Sequence, residues 1–175
     1  MWWIPLIIAL LVVGLVILIA TRPAELRISR TGVIDAPAPE VFALVNDFHE
    51  WDAWSPWAKL DPKAKNTFEG SPAGEGAVFT WSGNNQVGKG RMTIVEGKPP
   101  QLIRIRLVFF KRWKCTNTAE FTFTPQDQQT RVTWTMTGKN NFMAKAMGLF
   151  MNMDKMVGDQ FEKGLANMNQ VAKSR

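Results

Sequence analysis

Nineteen consecutive residues near the start of the chain, positions 2–20, carry no charge. They read Trp-Trp-Ile-Pro-Leu-Ile-Ile-Ala-Leu-Leu-Val-Val-Gly-Leu-Val-Ile-Leu-Ile-Ala. As a helix the run would be about 28 Å long, close to the ~30 Å of a bilayer core. It has no polar face, so it does not fit a helix that packs one stripe on a soluble core. Trp2 and Trp3 stand where an aromatic belt would lie, and Arg22 closes the other end. Pro5 falls in the first turn, where a missing N–H costs little. A cleaved signal peptide would want a basic n-region, a shorter apolar run and an Ala-x-Ala-like site. No Lys or Arg precedes this run, and Ile-Leu-Ile-Ala-Thr-Arg-Pro is not such a site. The run predicts a retained single-pass anchor over residues 1–21, a linker over 22–24 and one domain over 25–175.

All 36 charged residues follow the run. Arg22, Arg27 and Arg30 lie just after it against Glu25 alone, which puts the following domain on the cytoplasmic side by the positive-inside rule. A single cysteine, Cys115, fits a reducing compartment, and it excludes an internal disulfide and any multi-cysteine metal site. A single histidine, His49, excludes a two-histidine metal motif, and there is no tyrosine to serve as acid, base or hydroxyl anchor. No metal and no cofactor is expected.

After the anchor the hydrophobic period is mostly two. Residues 25–36 read as a first strand whose phase changes near Gly32, as at a bulge. Pro37-Ala-Pro39 ends it, and Glu40, Val41, Phe42, Leu44 and Val45 then give a short amphipathic helix. Residues 46–56, with Phe48, Trp51 and Trp54, form a second short helix or turn. Strand follows strand from Thr67, separated by turns at Asn84-Asn85, Lys98-Pro-Pro and Pro125-Gln-Asp127. Turns this short require antiparallel neighbours. The outward sets are rich in Thr and Arg, so one sheet face is solvated. The inward sets are large and apolar and need a cover. Residues 140–172 supply it, with apolar side chains at steps of three and four: Phe142, Ala146, Leu149/Phe150, Met153, Met156/Val157, Phe161, Leu165 and Met168. This predicts one long helix of about 45–50 Å. Gly148, Gly158 and Gly164 interrupt it, and Gly148 marks a kink or a close contact.

The order is thus strand, two short helices, about six antiparallel strands and a long helix, an α+β chain. It resembles the START-like helix-grip superfamily, in the polyketide cyclase/dehydrase branch of the SRPBCC group. The likeness is carried by Ile34-Asp-Ala-Pro-Ala-Pro-Glu-Val-Phe42, Val45-Asn-Asp-Phe48 and Trp51-Asp-Ala-Trp-Ser-Pro-Trp57. Gly76 with Trp81, Gly88-x-Gly90, and Thr130-Arg-Val-Thr-Trp134 with Gly138 add to it. The resemblance implies a curved sheet of six to seven strands gripping the long C-terminal helix, with an apolar cavity between them. Members use such a cavity for lipids, sterols, polyketides and other hydrophobic small molecules, and a minority catalyse cyclisation or dehydration. The branch carries no universal catalytic motif, so no catalytic residue is assigned.

The candidate ligand-binding set is the inward-facing one. It comprises Phe79, Trp81, Ile105, Leu107, Phe109, Cys115, Asn117, Phe121, Trp134 and Met136 on strands, with Phe142, Met153 and Met156 on the helix. Periodicity alone describes a packed core as readily as a cavity lining. Six of the nine methionines lie between Met143 and Met168, and such side chains accept varied apolar partners. Asn117 would orient a ligand carbonyl or hydroxyl. Lys114 and Arg112 near Cys115 would favour a thiolate, whereas a buried thiol would be inert. His49 lies among Asp47, Glu50 and Asp52 but lacks a nucleophile to serve. Trp51, Trp54 and Trp57 recur every third residue and would pack the short helices on the sheet, or form a rim or partner patch. Residues 101–115 hold Arg104, Arg106, Lys111, Arg112 and Lys114 with no acid. That run suits a solvated strand face or anionic lipid head groups. No nucleic-acid motif accompanies it, and Gly88-x-Gly90 lacks the helix of a phosphate loop.

The expected function is a membrane-tethered binding module for a hydrophobic small molecule or lipid. No nucleic acid is expected as a partner, and no protein partner is specified. An enzyme of the cyclase/dehydratase type and a ligand-free interaction domain are the alternatives. The lack of Tyr and the single Cys and His tilt the chain from catalysis toward binding.

Overall fold

A computed structural model describes residues 2–110 and 114–175. Helix α1 spans Trp3–Ala20 and is exposed throughout except at Ile19. It is long and apolar enough to cross a membrane. Strand β1 (Glu25–Ile34) follows, then α2 (Ala38–Asn46), a 3-10 turn at Phe48–Glu50 and α3 (Trp51–Trp54). Six strands come next: β2 (Lys65–Gly70), β3 (Ala77–Ser82), β4 (Lys89–Lys98), β5 (Leu102–Phe109), β6 (Cys115–Gln126) and β7 (Gln129–Lys139). Every pairing is antiparallel, in the order β1-β7-β6-β5-β4-β3-β2. The chain ends in α4 (Phe142–Met147) and α5 (Met153–Lys173). This is the α+β helix-grip arrangement anticipated above. The expected strand start at Trp113, and Lys111 and Arg112 of the basic run, lie outside the described residues.

The inner face of the sheet and the underside of α5 enclose an aromatic core. Trp134 stacks on Phe161 with centroids 4.0 Å apart and planes 8° from parallel, and on Phe121 at 4.7 Å. Trp54 meets both Phe121 and Trp134 edge-on. The Trp51 and Trp54 N–H groups donate to the Val45 and Leu44 carbonyls at 3.0 and 2.9 Å. Tryptophan spacing of three thus packs the short helices onto the sheet, each indole hydrogen-bonded to the preceding helix. Such polar satisfaction is what a buried N–H requires.

Two expectations are corrected. The first strand has no bulge at Gly32: its pairing with β7 runs unbroken from Glu25 to Ile34. Leu26, Ile28, Arg30, Gly32 and Ile34 alternate onto one face. Arg30 breaks the apolar rhythm there because it reaches α5, where it pairs with Asp154 and Glu162, both at 2.9 Å. Gly32 breaks it because a Cβ there would stand 3.2 Å from the Leu165 Cβ. The sheet's irregularity is instead between Ile94 and Glu96 of β4.

The second correction concerns the C-terminal helix, which is two helices rather than one. Gly148 ends α4, and Asn152 caps α5 by accepting from the Lys155 N–H at 2.9 Å. Asn141 caps α4 in the same way from Ala144. A capping asparagine supplies an acceptor to a free first-turn N–H and favours a new start over continuation. At 21 residues, α5 is about 31 Å long. Its two internal glycines sit where it lies closest to the sheet. A Cβ at Gly158 would meet the Arg30 guanidinium at 2.1 Å, and one at Gly164 would meet the Trp134 ring at 2.9 Å.

Candidate functional site: a half-open end of the grip

Strand register orders the inner face into rows. The deepest runs through Arg30, Trp134, Phe121 and Ile103. The next contains Ile28, Met136, Ala119, Ile105 and Ile94. A third contains Leu26, Gly138, Asn117, Leu107, Met92 and Phe79. The last contains Cys115, Phe109, Gly90 and Trp81.

Helix α5 does not reach over all four rows. Asp154, in its first turn, already pairs with Arg30 of the deepest row. Burial follows this geometry. Ile105, Phe121, Trp134 and Met136 are buried in the core. Phe79, Trp81, Leu107, Phe109 and Cys115 are half-buried, and Asn117 is buried between the two groups. The outer two rows are thus only partly covered, leaving a half-open apolar face, the candidate concavity, at the sheet end where β1 begins and β7 finishes. The break between α4 and α5 leaves it open.

Aromatic side chains wall this end. Phe79 and Trp81 stack at 6.0 Å, and Phe109 meets Trp81 edge-on at 5.7 Å. The Trp81 indole donates to the Val87 carbonyl at 2.8 Å, which fixes the ring. Gly90 opposite leaves room for it, since a Cβ there would stand 2.4 Å from the indole. A recess of about 580 Å³ lies at the β5–β6 end, lined by Val108, Phe109, Phe110, Lys114, Cys115 and Thr116, and it shares only Phe109 and Cys115 with these rows.

Polar groups here are few. Among the described residues the Asn117 side-chain N–H donates only to the Met136 sulfur, at 3.8 Å, and a thioether is a weak acceptor. The Trp134 N–H is buried without any acceptor among the described residues. Burial pushes the Cys115 thiol up, away from the reactive thiolate. His49 lies outside the concavity, hydrogen-bonded to Asp47 at 2.7 Å and stacked on Phe68 at 4.1 Å. Among the described residues no group of three His, Cys, Asp or Glu side chains is placed to hold a metal. The basic run is less free than its own segment suggests, because Arg104 pairs across strands with Glu96 and Glu120.

The helix-side candidates separate. Met153 is half-buried at the start of α5, whereas Phe142 and Met156 are about half exposed. Their inward placement rested on one continuous helix, which is instead divided at 148–152. Leu26 and Met92 belong to the open rows and were not singled out. Met92 was legible from its alternation with Gly90 and Ile94, but Leu26 was masked by the apparent phase change in β1.

The family model for polyketide cyclase/dehydrase and lipid transport proteins matches residues 25–173. Solved structures match in fold. A protein from Chromobacterium violaceum is 14% identical with a TM-score of 0.59, covering 86% of this chain and 97% of that one. The Aha1 dimer from Colwellia psychrerythraea is 11% identical with a TM-score of 0.60, covering 84% and 96%. A protein from Mycobacterium smegmatis is 18% identical with a TM-score of 0.56, covering 85% and 92%. No curated protein matches the chain.

Proposed function

The chain belongs to the polyketide cyclase/dehydrase and lipid transport family, and from that premise we propose that it is a membrane-tethered binding module for a hydrophobic small molecule or lipid. The observation that carries this reading is the half-open apolar concavity beside an exposed apolar helix. Phe79, Trp81, Leu107, Phe109 and Cys115 supply apolar surface to an occupant. Burying such surface supplies affinity, and a few polar groups set orientation. The Asn117 amide, held among the described residues by a weakly accepting sulfur, is the group proposed to receive a ligand oxygen. Helix α1 is the tether, and the arginines just after it favour a cytoplasmic domain.

The cyclase/dehydratase alternative ranks second. It needs a group that moves a proton in the concavity, and the thiol there is held protonated by burial. Lipid analysis of the full-length protein purified in mild detergent tests the binding reading. Wild type is expected to carry an apolar compound, and Leu107→Trp, which fills the concavity, is expected to carry at least about tenfold less, the equivalent of 1.4 kcal/mol. Equal recovery from both, or none from wild type together with no uptake of a fluorescent fatty acid, overturns the proposal.

A further inference from the structure

We propose that residues 142–151, comprising α4 and the start of the connection to α5, form a second membrane contact that lies in the bilayer interface beside the tether. The proposal rests on the tether reading of α1 given above.

One hydrogen bond ties this segment to the end of α1, and two more tie the residue just before α4 to the linker that follows α1. Lys145 donates from Nζ to the Ala20 carbonyl at 3.1 Å. Asn140, just before α4, donates from its backbone to Ala24 at 2.8 Å and from its side chain to Pro23 at 3.3 Å. Ile19 is buried at the same junction. A helix bound to the carbonyl of the last residue of an 18-residue apolar span sits where that span would leave the hydrocarbon.

The surface there is unusually apolar. Beyond residue 25, nine large hydrophobic side chains are exposed among the described residues, and five lie between Phe142 and Met156. Phe150 is 87% exposed, and Phe142 and Met143 are 53% exposed. Contiguous exposed apolar surface marks an interaction site. Arg22, Lys139 and Lys145 flank it and make no ion pair among the described residues. An apolar surface rimmed by cations, at the mouth of a transmembrane span, fits a lipid surface with anionic head groups.

Single-cysteine labelling tests this, because Cys115→Ala removes the only thiol. Full-length protein carrying an environment-sensitive fluorophore at Phe142→Cys, Phe150→Cys, Leu11→Cys or Gln128→Cys is reconstituted in phosphatidylcholine vesicles with a minor share of phosphatidylglycerol. Gln128 lies in the β6–β7 turn, at the far end of the sheet. Labels at 142 and 150 should be quenched severalfold more by shallow spin-labelled lipid than by aqueous iodide, and the label at 128 the reverse. Iodide-accessible labels at 142 and 150, with lipid quenching at 11, overturn the second contact and leave the tether standing. Labels at 142 and 150 shielded from both quenchers point to a protein cover and also overturn it. Loss of lipid quenching at 11 overturns the tether and this proposal together.

Discussion

The Trp134 indole is pressed between Phe161 and Phe121, yet its N–H has no acceptor among the described residues. Two substitutions separate these properties. Trp134→Ala removes the stack and should cost about 3–5 kcal/mol, as large aromatic deletions in cores do. Trp134→Phe removes the orphaned N–H while keeping an aromatic surface. An unsatisfied buried donor costs about 1–3 kcal/mol, so the loss of packing area is largely offset and stability should stay within about 1 kcal/mol of wild type. Urea titration of the full-length protein in detergent reads both. A Phe variant as unstable as the Ala variant would mean that the N–H has a stabilising partner. At this scale the sequence was half legible. The inward set of β5, β6 and β7 followed from alternation, because nearly all side chains there are apolar, Asn117 being the exception in β6. Arg30 did not, because a charged residue on an inner face is interpretable only once its partners, Asp154 and Glu162, are known.

At the scale of elements, the two kinds of glycine near the C-terminus should respond oppositely to alanine. Gly148 ends α4 with ordinary right-handed backbone angles, and a Cβ there meets nothing closer than 3.4 Å. Gly148→Ala should be neutral or stabilising by up to about 1 kcal/mol, from helix propensity. Gly164→Ala gains the same propensity but drives a Cβ to 2.9 Å from the Trp134 ring and 3.2 Å from Pro56. The ring is pinned by its own stacking, so α5 must lift, and a net loss of about 1–3 kcal/mol is expected. Thermal melts of the two variants check the difference in sign. The helical stripe revealed a cover for the sheet but not its division, since the apolar steps of three and four continue across 148–152 while the caps at Gly148 and Asn152 are local.

The docking of α5 also carries a pH dependence. The Lys173 ammonium beside Asp35, and the Arg30 guanidinium beside Asp154, hold both carboxyls below the usual carboxylate range. A carboxyl lowered by folding stabilises the fold fully above its unfolded value, near 3.9 for Asp, and that contribution is lost as pH falls through the lowered value. The α5–β1 contact should therefore weaken only below about pH 4. These pairs are largely solvent-exposed, so the change should be modest. Arg30→Met should lower stability at neutral pH and flatten its decline in acid, measured by urea titration at a series of pH values. An unchanged acid slope would count against a role for the pair in docking.

For the whole molecule, the two ends of the domain differ. Helix α1 enters where β1 begins, beside the half-covered rows of the inner face. The C-terminus lies at the other end, with Lys173 paired to Asp35 just past β1 and Arg175 to Glu50. Sequence set the apolar helix apart from the remainder readily, because charge is absent from one and spread through the other. It could not orient them, since orientation depends on which rows α5 leaves bare and where α4 is tied. Under the proposed tether, this arrangement turns the half-buried residues toward the bilayer from which an apolar ligand would come. Moving residues 1–20 to follow Arg175 through a short linker keeps the domain at the membrane but inverts it, withdrawing the concavity by roughly the 30 Å length of α5. Folding stability should be unchanged, as α1 adds little to the domain's interior beyond Ile19. Loading of a fluorescent lipid from vesicles should slow by about tenfold, because tethering promotes transfer only when geometry lets the two sites meet. Equal loading from the native and inverted proteins would mean that the ligand reaches the concavity through water, and that the tether serves location rather than delivery.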